Sequence, residues 1–255
     1  MFHTLFSAKK PLIGMIHLPA LPGYPTHPGM DEVTKKAVAD LQTLQSAGFD
    51  GALVENDNDQ PHQIGASRST IQAFEVVMKA LLAKATIPVG MEIIYDMPQT
   101  IKVAHKVGVP FVRLDVFVDD VVTEWGRIYG QAKELMALKD TLGARDLVLL
   151  TDIHVKHAKM LSSKSLSDSA REAFKHGSDA LIITGDWTGL PPSMQDCKTA
   201  KRAANCPVLI GSGLNAANAK QLLGFADGAI VGSSIKTGAY IDADKAKALL
   251  HELRV

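Results

Sequence analysis

Cysteine is nearly absent from this chain: Cys197 and Cys206 are the only two in 255 residues. Two thiols without paired short spacings build neither a disulfide framework nor a cysteine zinc site, so a reducing compartment is the default expectation. Net charge is absent as well, with 27 Lys and Arg against 27 Asp and Glu. That balance leaves no electrostatic footprint for nucleic acid and no polybasic anchor for a membrane. No uninterrupted apolar run approaches the roughly 20 residues that span a bilayer. The first ten residues lack the basic start and long apolar stretch of a secretory signal. These absences predict a soluble, cytoplasmic protein that binds neither nucleic acid nor membrane. Low-complexity segments, long linkers and charge blocks are missing too, so 1–255 is expected to be one domain.

What is present is a recurring unit: a helical pattern, then Gly or a small residue, then an apolar strand. It appears at Ala47-Gly-Phe-Asp-Gly-Ala-Leu-Val-Glu55, Val107-Gly-Val-Pro-Phe-Val-Arg-Leu-Asp115, His176-Gly-Ser-Asp-Ala-Leu-Ile-Ile-Thr184 and Phe225-Ala-Asp-Gly-Ala-Ile-Val-Gly232. Gly just past a helix suits the left-handed cap, and a continuous apolar run suits a strand buried on both faces. The pattern predicts strands at 12–17, 51–55, 88–94, 110–115, 147–153, 179–184, 207–211 and 228–232. Helices are expected at 31–48, 67–84, 98–107, 124–142, 165–176, 193–204, 215–225 and 242–253. Within 31–48, for example, Val33, Ala37, Leu41, Leu44 and Ala47 recur at helical spacing. Eight alternations with no antiparallel hairpin signal predict an α/β protein, a single (β/α)₈ TIM barrel; the competing architecture is a doubly wound open sheet.

The sharpest local chemistry lies at Val208-Leu-Ile-Gly-Ser-Gly-Leu-Asn215 and Gly228-Ala-Ile-Val-Gly-Ser-Ser-Ile-Lys236. In both, a strand ends in small residues and a helix is expected next. Glycine lets backbone approach an anion, and a following helix N-terminus adds N–H groups and a positive dipole end. Barrels commonly build a phosphate cup from their last two strands. Gly211, Ser212, Gly213, Gly232 and Ser233 are the candidate phosphate contacts, with Lys236 as an added charge. The plain alternative is that the glycines only permit tight turns.

Catalytic groups in a barrel come from strand C-termini. Those ends carry His17, Glu55 with Asn56, Glu92, Arg113 with Asp115, Asp152 with His154, and Thr184 with Asp186. Glu55, Glu92, Asp115, Asp152 and His154 are the candidate acid/base groups or ligands of a divalent metal. No organic-cofactor motif is present. His17, Asn56, Arg113, Lys156, Thr184, Gly185, Asp186 and Trp187 are candidate substrate contacts. Strand alternation is expected to carry Asp152, His154 and Lys156 on one side of Thr151-Asp-Ile-His-Val-Lys-His157. Singly, each residue also has a structural reading as a cap, ion-pair member or satisfied core histidine. The Pro- and Gly-rich His17-Leu-Pro-Ala-Leu-Pro-Gly-Tyr-Pro25 is a candidate wall or lid. Trp187, in Thr184-Gly-Asp-Trp-Thr-Gly-Leu-Pro-Pro192, could stack on a ring, cover the rim or sit in a subunit contact.

Five segments in order resemble the BtpA/SgcQ family: Pro11-Leu-Ile-Gly-Met-Ile-His-Leu-Pro-Ala-Leu-Pro-Gly23, Gly51-Ala-Leu-Val-Glu-Asn56, Asp152-Ile-His-Val-Lys-His157, Asp179-Ala-Leu-Ile-Ile-Thr-Gly185 and Ala229-Ile-Val-Gly-Ser-Ser234. The resemblance runs nearly end to end and implies a barrel with a phosphate site. It connects the chain to photosystem I accumulation through BtpA and to carbohydrate or nucleoside metabolism through SgcQ-like members. Family members often read Glu-Asn-Phe/Tyr-Gly-Asp after strand two, where this chain has Glu55-Asn-Asp-Asn-Asp59. The expected function is an enzyme on a phosphorylated sugar or nucleotide, with glycosidic or N-glycosidic hydrolysis ahead of isomerase, epimerase or aldolase chemistry. A non-catalytic biogenesis factor is the reading from another class. Homo-oligomerisation is expected only as the general habit of such proteins.

Overall fold

The apolar runs become strands because both faces of each are covered, one by the barrel interior and one by helices. In the computed structural model, which describes residues 1–254, the chain opens with α1 (Phe2–Leu5), β1 (Leu12–His17), α2 (Met30–Ala47), β2 (Gly51–Glu55) and α3 (Arg68–Leu82). It continues through β3 (Val89–Glu92), α4 (Met97–Val107), β4 (Phe111–Leu114), β5 (Val121–Thr123), β6 (Gly126–Ile128) and α5 (Ala132–Thr141). Then come β7 (Val148–Asp152), β8 (Ala158–Met160), α6 (Leu166–Lys175), β9 (Ala180–Ile183), α7 (Met194–Ala203) and β10 (Val208–Ile210). Last are α8 (Ala219–Leu223), β11 (Gly228–Val231), a 3₁₀ turn (Ser233–Ile235), β12 (Lys236–Thr237), β13 (Tyr240–Ile241) and α9 (Ala243–Arg254). Strands β1, β2, β3, β4, β7, β9, β10 and β11 close a parallel barrel in that order, β11 returning to pair with β1. This is a (β/α)₈ barrel and not an open sheet.

Two apolar layers hold it. Between strands and helices lies the larger core, which includes Leu41, Leu44, Phe74, Val112 and Ile183. Inside the barrel, Ile13, Met15, Leu53, Phe111, Val148, Leu150, Ala180, Ile182, Leu209 and Ile230 form a second cluster with Phe2 and Phe6. Residues Phe2 and Phe6 close the N-terminal end, Phe6 meeting the Phe111 ring edge-on at 5.6 Å. Gly90 makes space for Phe111, since a Cβ there would lie 2.2 Å from its ring.

Three expectations about elements are corrected. The helix expected over 124–142 begins only at Ala132, because 121–128 forms the antiparallel hairpin β5–β6, to which β8 adds. Val121, Val122 and Thr123 favour extended backbone, and the Thr123 hydroxyl accepts the Trp125 N–H (3.1 Å) to close a turn ending at Gly126, φ 137°. An antiparallel signal was therefore present. The helix expected over 215–225 shrinks to Ala219–Leu223, because Asn215 and Asn218 side chains accept the backbone N–H groups of Ala217 and Asn215 and stabilise turns instead. Lastly, β7 stops at Asp152 and His154 adopts φ 49°, so strand alternation does not reach His154 or Lys156.

Candidate active site

Side chains alternate in and out along a strand, so the interior positions can be followed upward from the core. On β1 they run Ile13, Met15, His17; on β2, Leu53, Glu55; on β4, Phe111, Arg113; on β7, Val148, Leu150, Asp152. The polar residues are thus the top layer of the barrel interior. Register places His17, Glu55 and Glu92 at one level on three neighbouring strands.

Arg113 organises this layer. Its Nε and Nη2 donate to Asp152 Oδ2 and Oδ1 at 2.8 and 2.9 Å, a bidentate grip. Its Nη1 lies 3.5 Å from Glu55 Oε2 and 3.3 Å from Glu92 Oε2. All four side chains are buried, as is Asp115, whose Oδ2 accepts the Tyr95 N–H at 3.0 Å. One guanidinium cannot balance four ionised carboxyls in a low-dielectric interior, so some remain protonated. Burial, with Asp115, Glu55 and Asp152 nearby, holds Glu92 well above the usual carboxylate range despite Arg113. Burial likewise pushes Asp115 up to about 7. Glu55 behaves oppositely: burial opposes its charge, but His17, Arg113 and Lys156 hold it well below the ordinary range. Among the described residues, neither Glu92 Oε2 nor Asp115 Oδ1 has a hydrogen-bond partner.

In the same layer, His17 Nε2 lies 2.9 Å from Glu55 Oε1 and Nδ1 3.4 Å from Asp57 Oδ2. The two glycine-serine loops meet it from the far side. A Cβ on Gly232 would sit 3.8 Å from His17 Nε2, so glycine leaves that approach open. Gly213 has φ 70°, and a Cβ there would strike Pro191 N at 2.1 Å. His17, Glu55, Arg113, Lys156, Gly211–Gly213, Gly232 and Ser233 all border one cavity of about 40 Å³. That is room for a few waters. It is small because the segment 184–192 crosses it: the Thr188 hydroxyl meets Lys156 Nζ (3.3 Å) and His157 Nε2 (2.8 Å). A larger ligand requires this segment to move.

The two loops expected to form an anion cup differ from expectation in their parts. The five-residue α8 begins only at Ala219 and a 3₁₀ turn follows β11, so no long helix aims its N-terminus at the cup. The Ser212 hydroxyl donates to Leu190 O (2.6 Å) and accepts the Gly185 N–H (2.9 Å), and so serves the crossing segment. Ser234 Oγ donates to Leu214 O (2.6 Å) and ties the two loops together.

Several candidates lie outside this cavity. Asn56 is buried, donating to Asp59 Oδ2 and accepting the Ile94 N–H. Thr184 Oγ1 accepts the Lys156 N–H (3.1 Å), which positions that lysine. His154, with Asp186 and Trp187, borders a second groove of about 750 Å³ beside the mouth. The 17–25 loop is a packed wall, with Leu18 and Leu21 fully buried. Carboxylates converge on the Arg113 guanidinium, and among the described residues no group of three or more His, Cys, Asp or Glu side chains is disposed to hold a metal. Sequence reasoning missed Asp57 and Asp119. Asp119 accepts the His154 N–H (3.0 Å) and the Ser169 hydroxyl (2.6 Å) and so holds His154 in place. Both follow strand ends, where alternation gives no guide. The other signal is backbone: the non-glycine residues with positive φ, Tyr95, His154 and His157, all lie in loops at this face.

Solved structures with this architecture include native KDPGal (TM-score 0.63, 16% identity, covering 97% of this chain and 96% of that one). Others are 3-hexulose-6-phosphate synthase (0.61, 16%, 95% and 99%) and a Thermoplasma acidophilum (S)-3-O-geranylgeranylglyceryl phosphate synthase bound to sn-glycerol-1-phosphate (0.62, 15%, 98% and 95%). At such identity they establish the fold alone. An uncharacterised protein of Pyrococcus furiosus is 39% identical over 92% of this chain and 90% of its own length. The photosystem I biogenesis protein BtpA of Synechocystis is 33% identical over 92% and 83%. No helix among the described residues is long and apolar enough to cross a membrane. The BtpA family model matches residues 8–254, and the chain belongs to the BtpA family.

Proposed function

We propose that this protein is an enzyme that moves protons on a phosphorylated sugar or nucleotide, its phosphate seated on the backbone of Gly211–Gly213 and Gly232–Ser233. The observation that carries this reading is the division of labour among the buried carboxyls. Burial raises Glu92 well above the usual carboxylate range, Asp115 is pushed up to about 7, and Glu55 is held well below that range by His17 and Arg113, all within one cluster. Acid and base with separated affinities, side by side, are what proton transfer at neutral pH requires.

Glycosidic or N-glycosidic cleavage fits this set. A neutral carboxyl protonates the leaving group, while ionised Glu55 stabilises the oxocarbenium-like centre and guides water. His17, between Glu55 and Asp57, orients Glu55 and faces the space beside Gly232. The phosphate anchors the sugar away from the reacting centre. Isomerisation or epimerisation is the second reading, favoured by Asp115, which near pH 7 takes up a proton as readily as it releases one. Solved barrels of this architecture whose names include a phosphorylated compound support a phosphate-bearing substrate. The name of the Synechocystis relative supports an assembly role instead, which predicts binding without turnover.

Thermal-shift screening against phosphosugars and nucleoside monophosphates, with and without divalent metal, followed by product analysis, separates these readings. The enzyme reading expects stabilisation by a phosphorylated compound and a new product, with a rate that declines above about pH 7 and loses that limb in Asp115→Asn. Indifference to every phosphorylated compound overturns it; binding with no product across all metals favours the assembly factor.

A further inference from the structure

We infer that the groove beside the mouth is a nucleobase subsite, so that the substrate of the proposed reaction is a nucleoside monophosphate and not a bare phosphosugar. The inference rests on the phosphate-anchored reading above. The mouth offers about 40 Å³, whereas the adjoining groove offers about 750 Å³, within the range of small-molecule sites. A phosphosugar alone would leave that larger space empty.

The lining of the groove matches a flat heteroaromatic ring. Val121, Val155 and Met160 give it an apolar side. Trp187 stands at the rim 61% exposed, its ring held edge-on by His157 at 5.0 Å. An uncovered indole is a stacking platform, because every base has a π-face. The polar groups suit a base edge. His154 Nε2 has no hydrogen-bond partner among the described residues, and the Asp119 carboxylate grips its backbone in a left-handed conformation. The Glu124 and Asp186 carboxylates border the same space and would accept ring or exocyclic N–H groups.

Groove and mouth are also continuous in the residues that separate them. Lys156 borders both. Thr188, adjacent to Trp187, borders the mouth and bonds Lys156 and His157. Release of those contacts joins the two spaces. The ribose then lies at Lys156, with phosphate on the glycine loops and base against Trp187, which puts the N-glycosidic bond at the mouth that Glu55 borders.

The test is calorimetric titration with ribose 5-phosphate, adenosine 5′-monophosphate and uridine 5′-monophosphate. At least one nucleotide should bind about tenfold more tightly than ribose 5-phosphate, the scale of one stacking contact. Trp187→Ala should abolish that advantage while leaving ribose 5-phosphate binding unchanged, and Trp187→Phe should retain most of it. Trp187 is exposed, so the variants fold, and ribose 5-phosphate binding reports that they have. Equal binding of ribose 5-phosphate and both nucleotides overturns the subsite, as does a Trp187→Ala effect on all three ligands alike. Failure of every phosphorylated ligand removes the anchoring reading itself, and the subsite with it.

Discussion

Four carboxyls on the top layer of a barrel repel one another, and the chain meets this with one guanidinium and with proton affinities raised at Glu92 and Asp115. Arg113→Met strands Asp152 and Glu55 in a buried site, and urea denaturation should show a loss of about 3–5 kcal/mol. Arg113→Lys keeps the charge but not the fork on Asp152, so its loss should be smaller. The pH dependence follows from signs. The Asp115 pKa is raised from 3.8 to about 7, so between those values the folded state holds the extra proton. Its contribution to stability is complete below about pH 4 and is lost as pH rises towards 7. Glu92 acts in the same direction. Glu55 acts oppositely, contributing above its unfolded pKa and losing that contribution in acid. Urea midpoints at pH 5 and pH 7 should therefore differ less in Asp115→Asn than in the wild type. An unchanged difference would show that Asp115 does not titrate in this window. Period-two alternation made His17, Glu55, Arg113 and Asp152 legible in the sequence. It could not reveal that Asn56 turns inward to Asp59, or that Asp57 joins His17, because both lie past the strand.

Loops after strands set the shape of the site. Gly213 combines φ 70° with Pro191 N only 2.1 Å from where a Cβ would stand. Gly213→Ala must displace the 184–192 segment, and should cost more than about 1 kcal/mol and weaken phosphate-ligand affinity together. A variant that keeps both intact would detach this contact from the site. Strands β1 and β2 were legible to the residue because hydrophobicity, glycine punctuation and length agreed there. Hairpin β5–β6 was not, since the helix expected over 124–142 extended backwards from Ala132–Thr141 over its second strand, Gly126–Ile128. Helix α8 was shorter than its apolar pattern because Asn215 and Asn218 hold the backbone in turns.

At the scale of the whole molecule, the barrel gathers residues from distant parts of the chain: His17, Glu55, Arg113, Lys156, Gly213 and Gly232 border one cavity. The repeated unit made that convergence legible, because a closed barrel brings all eight strand ends to one face. What covers the face was not, since the 184–192 crossing depends on Thr188 and Ser212 contacts that have no periodic signature. In the proposed function a phosphate sits on the backbone of the loops after β10 and β11, opposite the buried carboxyls. The most direct test is the ¹H–¹⁵N correlation spectrum titrated with ribose 5-phosphate, with ribose as control. Amide shifts concentrated at Ser212, Gly213, Gly232 and Ser233, present with the phosphate and absent with ribose, are the predicted result. Saturable shifts centred elsewhere, or no shifts at all, would contradict the account.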